Sequence, residues 1–141
     1  MGFEIGKVGV FKVTDSGAVQ RDLTAYLTDL AFPRDVGTVE TTVFGNADRT
    51  FLATLRGGTI DIGGHWDGGA APAPDVVLSG DLGLATPPTF ECGPQGSTTG
   101  KVKYTGSCNL TRYGMTQRVD GSVDFTASFQ ITGLVTRGTY A

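Results

Sequence analysis

The chain has 141 residues, 22 of them Gly, with 39% hydrophobic residues, 18% charged residues and a formal net charge of −3. That length suits one ordinary domain with a proper core, and a Gly- and Thr-rich composition favours turns and half-buried strands over helices. A sequence pI of about 4.9 and singly scattered Lys and Arg argue against tight duplex binding, which needs a clustered basic surface to neutralise several phosphates.

The N-terminus, MGFEIGKVGVFKV, lacks a basic leader before a long apolar run, so no secretory signal is expected. No segment reaches the ~20 apolar residues of a spanning helix. The chain is expected to be cytoplasmic at synthesis, without a membrane partner. Phe3–Thr14 reads as a first strand whose alternation shifts between Val10 and Phe11, as at a bulge. Asp15-Ser16-Gly17 is a turn signal, and Ala18–Leu23 returns antiparallel. Asp22 or Thr24 caps a single helical turn through Leu27. Asp29–Phe32 is a short strand with Leu30 and Phe32 on one face, stopped by Pro33.

Two readings compete over Pro33–Gly58. Val39, Thr41 and Val43 alternate with Glu40, Thr42 and Phe44, which suggests an exposed strand or a long arm. Ala47, Phe51, Leu52 and Leu55 instead sit at helical spacing, with Gly57 as terminator. Thr59–Trp66 is a strand with Ile60, Ile62 and Trp66 inward and Asp61 and His65 outward. Ala70–Pro74 is a connector. Asp75–Ala85 reads as a short helix capped by Asp75, opposed by Gly80 and Gly83 at about 1 kcal/mol each. Thr89–Cys92, Lys101–Tyr113 and Ser122–Thr132 complete the strands, joined by Gly-rich turns at Gly93–Gly100 and near Gly121. In the last strand Val123, Phe125, Ala127, Phe129 and Ile131 alternate with polar residues without a break, the period of a half-buried strand. About seven strands with one or two short helices imply an all-β sandwich or barrel. No internal repeat is visible, and a single domain over residues 1–141 is expected.

No constellation here carries convincing chemistry. Gly93–Val102 (GPQGSTTGKV) departs from a phosphate loop: Gln95 stands where Gly is wanted, Val102 where Ser or Thr is wanted, and a strand follows in place of a helix. His65, the only histidine, has Asp61 and Asp67 nearby but no nucleophile brought to it by spacing. A zinc site wants three or four ligands, and Cys92 and Cys108 are isolated. With Cys92 opposite Lys101 in a hairpin, Cys108 falls roughly 23 Å further along, too far for a bridge, so buried free thiols are expected. Asn109-Leu110-Thr111 is a chance glycosylation sequon. Trp66 and the Phe residues alternate with polar neighbours and read as core. The polar faces of the last two long strands (Lys101, Lys103, Ser107, Asn109; Asp124, Ser128, Gln130) read as water-facing surface, or as the wall of a channel in an assembly. Neither an enzyme activity nor a cofactor is expected.

The C-terminal stretch SVDFTASFQITGLVTRGTYA, Ser122–Ala141, resembles the C-terminus of major tail tube proteins of long-tailed bacteriophages, of the type "sFQvTG.vTRGtf". Phe32–Gly58 and the "GP.G.ttGk.ky.G" pattern of Gly93–Tyr104 extend the resemblance over most of the chain. It implies a tail tube β-sandwich or barrel with a long extended loop or arm at 33–58 and a C-terminal tail at 133–141. It further implies a structural virion protein: homohexameric rings stack into a hollow tube that encloses the tape-measure protein and conducts DNA without binding it. Six four-stranded sheets would give roughly 24 strands, and ~16–18 already leave a channel. Other tail proteins are implied partners, and the virion tail, assembled in the host cytoplasm, is the implied location. Under this resemblance Glu40, Thr42, Phe44, Arg49, Phe51, Arg137 and Tyr140 are candidate inter-ring or inter-subunit contacts. Asp61, Asp120 and Asp124 are candidate lumen residues. A tail terminator or tail-tip ring protein is the nearest alternative, and a monomeric β-sandwich binding module is the alternative of another class.

Overall fold

The computed structural model describes residues 5–141, so Phe3 and Glu4 of the expected first strand lie outside the described residues. From Ile5 onward that strand is shorter than expected. Gly6–Val8 forms a 3-10 turn, closed by the Gly9 N–H on the Gly6 carbonyl at 3.1 Å, and β1 spans only Val10–Thr14. Asp15 reverses the chain: its carboxylate accepts from the Gly17 and Val19 amides and from Arg21 Nε at 2.9 Å. Such a side-chain-closed turn returns β2 (Gln20–Asp22) antiparallel to β1. Asp22 accepts from the amide and hydroxyl of Thr24, opening the expected helical turn as a 3-10 turn at Thr24–Tyr26 ahead of β3 (Leu27–Ala31).

The 33–58 segment corrects the expectation of a long extended loop, and its helical competitor as well. Strands β4 (Arg34–Glu40) and β5 (Phe51–His65) pair antiparallel from Arg34 opposite Gly58 to Glu40 opposite Phe51. The reason lies at the tip. Asn46 donates its amide to the Val43 carbonyl and accepts the Val43 amide on Oδ1 at 2.8 Å, while Gly45 takes φ +96°. Glycine alone adopts that angle freely, and the tight turn it permits interrupts the helical spacing. Alternation wins.

Helix α1 occupies Pro74–Asp81, shorter than the expected 75–85. Proline suits the first helical position, and the N-cap is Ala73, without a side-chain cap; Asp75 lies inside the first turn. Strands β6 (Thr89–Gly93) and β7 (Val102–Thr116) form the expected hairpin, but Cys92 faces Tyr104 and not Lys101. Cys108 is therefore four residues along, roughly 13 Å, still beyond bridging, and both thiols are free and buried.

The last strand, β8, runs Asp124–Thr139 and does not stop at Gly133. Gly133 takes φ +82°, and the register slips between Thr105 and Ser107 of β7, a bulge after which Thr136–Thr139 pair again. The stretch expected as a tail is mostly strand, fastened by Tyr140 N–H to the Lys101 carbonyl at 2.9 Å and Gly100 N–H to the Tyr140 carbonyl at 2.8 Å.

Among the described residues eight strands, one more than expected, share one sheet in the order β2-β1-β6-β7-β8-β5-β3, with β4 added on the outer half of β5. The sheet curls on itself. Phe11 of β1 meets Phe129 of β8 with ring centroids 6.0 Å apart, although two strands separate them along the sheet. Phe32, just past β3, stacks edge-on against Phe90 at 5.6 Å and Tyr104 at 5.8 Å. Within the curl lie Phe11, Val13, Ile60, Ile62, Phe90, Phe125, Phe129 and Leu110, with Val77 and Leu78 of α1 closing one end. Each such large side chain contributes about 1.5–3 kcal/mol when fully buried.

Candidate assembly surfaces

The arm formed by β4 and the outer half of β5 has no core of its own. Cross-strand partners share a face, so one face carries Val36, Thr38 and Glu40 against Arg56, Ala53 and Phe51, and the other sets Val39 against Leu52. Both faces are apolar in part, and all these side chains are exposed, as are Leu55 (88%) and Phe44 at the tip (106%). An isolated two-stranded hairpin is marginal in water, and contiguous exposed apolar surface of this kind marks an interaction site. The candidates Glu40, Thr42, Phe44, Arg49 and Phe51 all lie on this arm. The other two lie elsewhere: Arg137 is exposed on β8, whereas Tyr140 is half-buried, donates to Glu91 Oε2 at 3.2 Å and lies under Lys103 Nζ. Burial, with Glu91 behind it, pushes the Tyr140 phenol up to about 12. Glu91 also pairs with Lys12 at 3.5 Å and Lys103 at 3.8 Å.

A second surface is the face of β3, β5, β8 and β7 turned away from the core. The register sets Asp29–Gly63–Thr126–Gly114 in one row, Ala31–Asp61–Ser128–Arg112 in the next, and Thr59–Gln130–Asn109 beyond. Every one of these side chains is small, polar or charged. Asp61 lies mid-face and Asp124 at its end, with Asp120 in the exposed turn that joins β7 to β8. On this four-stranded stretch, no described strand pairs with the outer edge of β3, or with the edge of β7 turned away from β8 between Arg112 and Thr116.

His65, Asp124 and Ser122 gather at the end of the polar face. His65 Nδ1 lies 3.0 Å from Asp124 Oδ1 and 3.5 Å from Ser122 Oγ, while Ser122 Oγ donates to Asp124 Oδ1 at 2.9 Å. Ser122, and then His65, hold the Asp124 carboxyl below the usual carboxylate range. A catalytic triad needs Ser and Asp on opposite ring nitrogens. Here both address Nδ1, so the trio is a polar surface cluster. Among the described residues, no group of three His, Cys, Asp or Glu side chains could hold a metal. No helix among them is long and apolar enough to cross a membrane.

Three features escaped the sequence. The arm's exposed surface includes Val36, Val39, Leu52 and Leu55. Arg34, Leu55, Arg56, Leu134 and Val135 line a groove of about 360 Å³ where the arm joins the body. Asp81, at the end of α1, is 1% exposed with neither carboxylate oxygen hydrogen-bonded. Burial, and secondarily the Asp15 charge, push it up to about 7. The alternation over Val39–Phe44 suggested an exposed arm, but the groove left no sequence signal, because Leu134 joins it beside the Gly133 bulge.

No protein-family model and no curated protein sequence matches the chain. Solved structures do. The chain superposes on a protein of the virion of a native gene transfer agent particle at TM-score 0.78 and 17% identity, covering 97% of this chain and 100% of that one. A protein from the tail of an empty gene transfer agent particle, resolved with C6 symmetry, gives 0.76 at 14% identity, with 97% and 100% covered. The SPP1 tail tube gives 0.76 at 10% identity, with 96% and 78% covered. The shared property is the fold: this chain has the curled, mainly β tail tube fold.

Proposed function

We propose that this protein is a structural, self-assembling tail tube subunit. Copies close into sixfold rings, the rings stack into a hollow cylinder, and the cylinder encloses a tape-measure protein and later conducts viral DNA. The observation that carries the reading is the arm, a hairpin with apolar residues on both faces that no described residue of its own chain covers. Copies of the same chain are the natural cover, and symmetric self-association is the commonest solution for soluble oligomers. Glu40, Thr42, Phe44, Arg49 and Phe51 then serve as contacts between copies, with Arg137 and Tyr140 at a further contact on the body.

The polar face supports the channel. Most of its side chains are short, and its acids, Asp29, Asp61 and Asp124, outnumber its one arginine, Arg112. A wall that neutralised phosphates would gain affinity through counterion release and hold the genome; a mildly acidic wall lets it slide. In this reading Asp61, Asp120 and Asp124 face the lumen. The open edges of β3 and of β7 from Arg112 to Thr116 meet in neighbouring copies, which removes exposed strand edges. The location is the virion tail, assembled in the host cytoplasm, with other tail proteins at its two ends.

Negative-stain electron microscopy of the concentrated protein tests the reading. Stacked rings forming tubes are expected. Single rings that never stack would favour a terminator or tail-tip role, and a strictly monomeric species would return the chain to the class of β-sandwich binding modules.

A further inference from the structure

Charge is polarised along the arm. Its base carries Arg34, Asp35 and Arg56, a net of +1 from two cations and one anion; its outer end carries Glu40, Asp48 and Arg49, a net of −1 from two anions and one cation. At the base, Arg34 and Arg56 flank the groove whose apolar floor is Leu55, Leu134 and Val135, and among the described residues neither guanidinium is ion-paired. Leu134 is 70% exposed. Two uncompensated cations over an uncovered apolar floor call for an occupant that brings both an aromatic or aliphatic group and negative charge.

The tip of the same arm has that composition. Phe44 stands free at its end, between Glu40, the last residue of β4, and Asp48 in the loop that leads to β5. The groove's ~360 Å³ exceeds the ~150 Å³ in which an apolar cavity holds a benzene ring. The tip cannot reach its own base, because Arg34 and Glu40 are six residues apart on an extended strand, roughly 20 Å. The occupant is therefore a second copy.

We propose that the arm tip of one copy docks in the arm-base groove of another. Phe44 enters between Leu55 and Leu134, and Glu40 and Asp48 meet Arg34 and Arg56. Tip and base are different surfaces, so the contact is heterologous and propagates from copy to copy wherever its rotation does not close a ring. The inference rests on the tube reading and specifies it: this contact joins successive rings.

The test uses two charge-reversed full-length proteins, R34E/R56E and E40K/D48K, with wild type alongside. All the changed residues are exposed on the arm, so circular dichroism and the melting temperature of each variant should match wild type. Each variant alone is expected to lose at least tenfold of the sedimentable tube formed by wild type. Mixed in equal amounts, they should polymerise again, since each supplies the base that the other's tip requires. Phe44→Ser should cut tube formation by at least tenfold while leaving rings intact. Variants that polymerise alone, or a folded mixture that stays unassembled, would overturn the docking while leaving the tube reading standing. Wild type that never polymerises would remove the tube reading itself.

Discussion

Tyr113 donates its phenolic hydrogen to Asp75 Oδ1 at 2.9 Å, tying strand β7 to the first turn of helix α1. The phenolic oxygen in turn accepts from Trp66 Nε1 at 3.1 Å. Burial, ahead of the Asp75 hydrogen bond, pushes the phenol up to about 12, so it stays protonated and able to donate. Tyr113→Phe should lower unfolding free energy by ~1–3 kcal/mol, because Asp75 and Trp66 each lose a partner in a half-buried setting. Urea denaturation of variant and wild type measures it, and unchanged stability would mean that water replaces the hydroxyl without loss.

Gly64 should tolerate no side chain. A Cβ built there comes within 2.0 Å of the Tyr26 carbonyl oxygen and 2.9 Å of the Leu27 Cα, both backbone atoms that cannot rotate away. Gly64→Ala must push β3 off β5, at a cost of roughly 3 kcal/mol or more. The expected readout is insoluble expression or a melting temperature lowered by many degrees.

Asp81 gives stability a pH dependence of defined sign. Its folded value of about 7 lies above the ordinary ~3.9 of the unfolded chain. Between those values the unfolded chain has released its proton and the folded chain keeps it, so stability falls as pH rises across the window, then levels off. Asp81→Asn cannot ionise. At about pH 8 it should exceed wild type by up to ~4 kcal/mol, with the difference vanishing near pH 4. Denaturation curves at several pH values check this, and a constant offset between the two proteins would refute it.

The two thiols should be inert in the native protein. Burial pushes Cys92 up to about 11 and Cys108 up to about 12, the latter helped by the Asp81 charge. Only the thiolate reacts. An aromatic disulfide reagent is expected to titrate both cysteines in denaturant and neither in native buffer.

The arm should be separable from the fold. Joining Gly37 to Thr54 through an Asn-Gly turn, the favoured two-residue hairpin connection, removes the exposed outer half and touches no core residue. The shortened protein should melt within a few degrees of wild type and form no tubes. Microscopy alongside calorimetry gives both readings.

Strict alternation made much of this fold legible. It placed Phe125, Ala127 and Phe129 on the buried face, Ile60 and Ile62 opposite them, and Asp61 and His65 in water. The arm was harder because Phe51, Leu52 and Leu55 satisfy two periodicities at once. The deciding signal was Gly45-Asn46, a turn pair between the two alternating runs. The continuation of β8 was hidden because Gly133 reads equally as a stop and as a bulge, and only the pairing of Thr136–Thr139 with β7 distinguishes them. Asp81 left no trace in spacing: its burial arises from the curl of the sheet over α1. Asp75 invited the role of cap, but the turn before it left that position to Ala73.

Strand β5 is continuous from Phe51 on the arm to His65 in the body, flanked along its inner half by β8 and β3. Tension applied at the arm tip therefore runs lengthwise into hydrogen bonds that must all slide together, instead of unzipping singly. Arm and sheet therefore act as one tie-rod, suited to resist stretching along the length of β5.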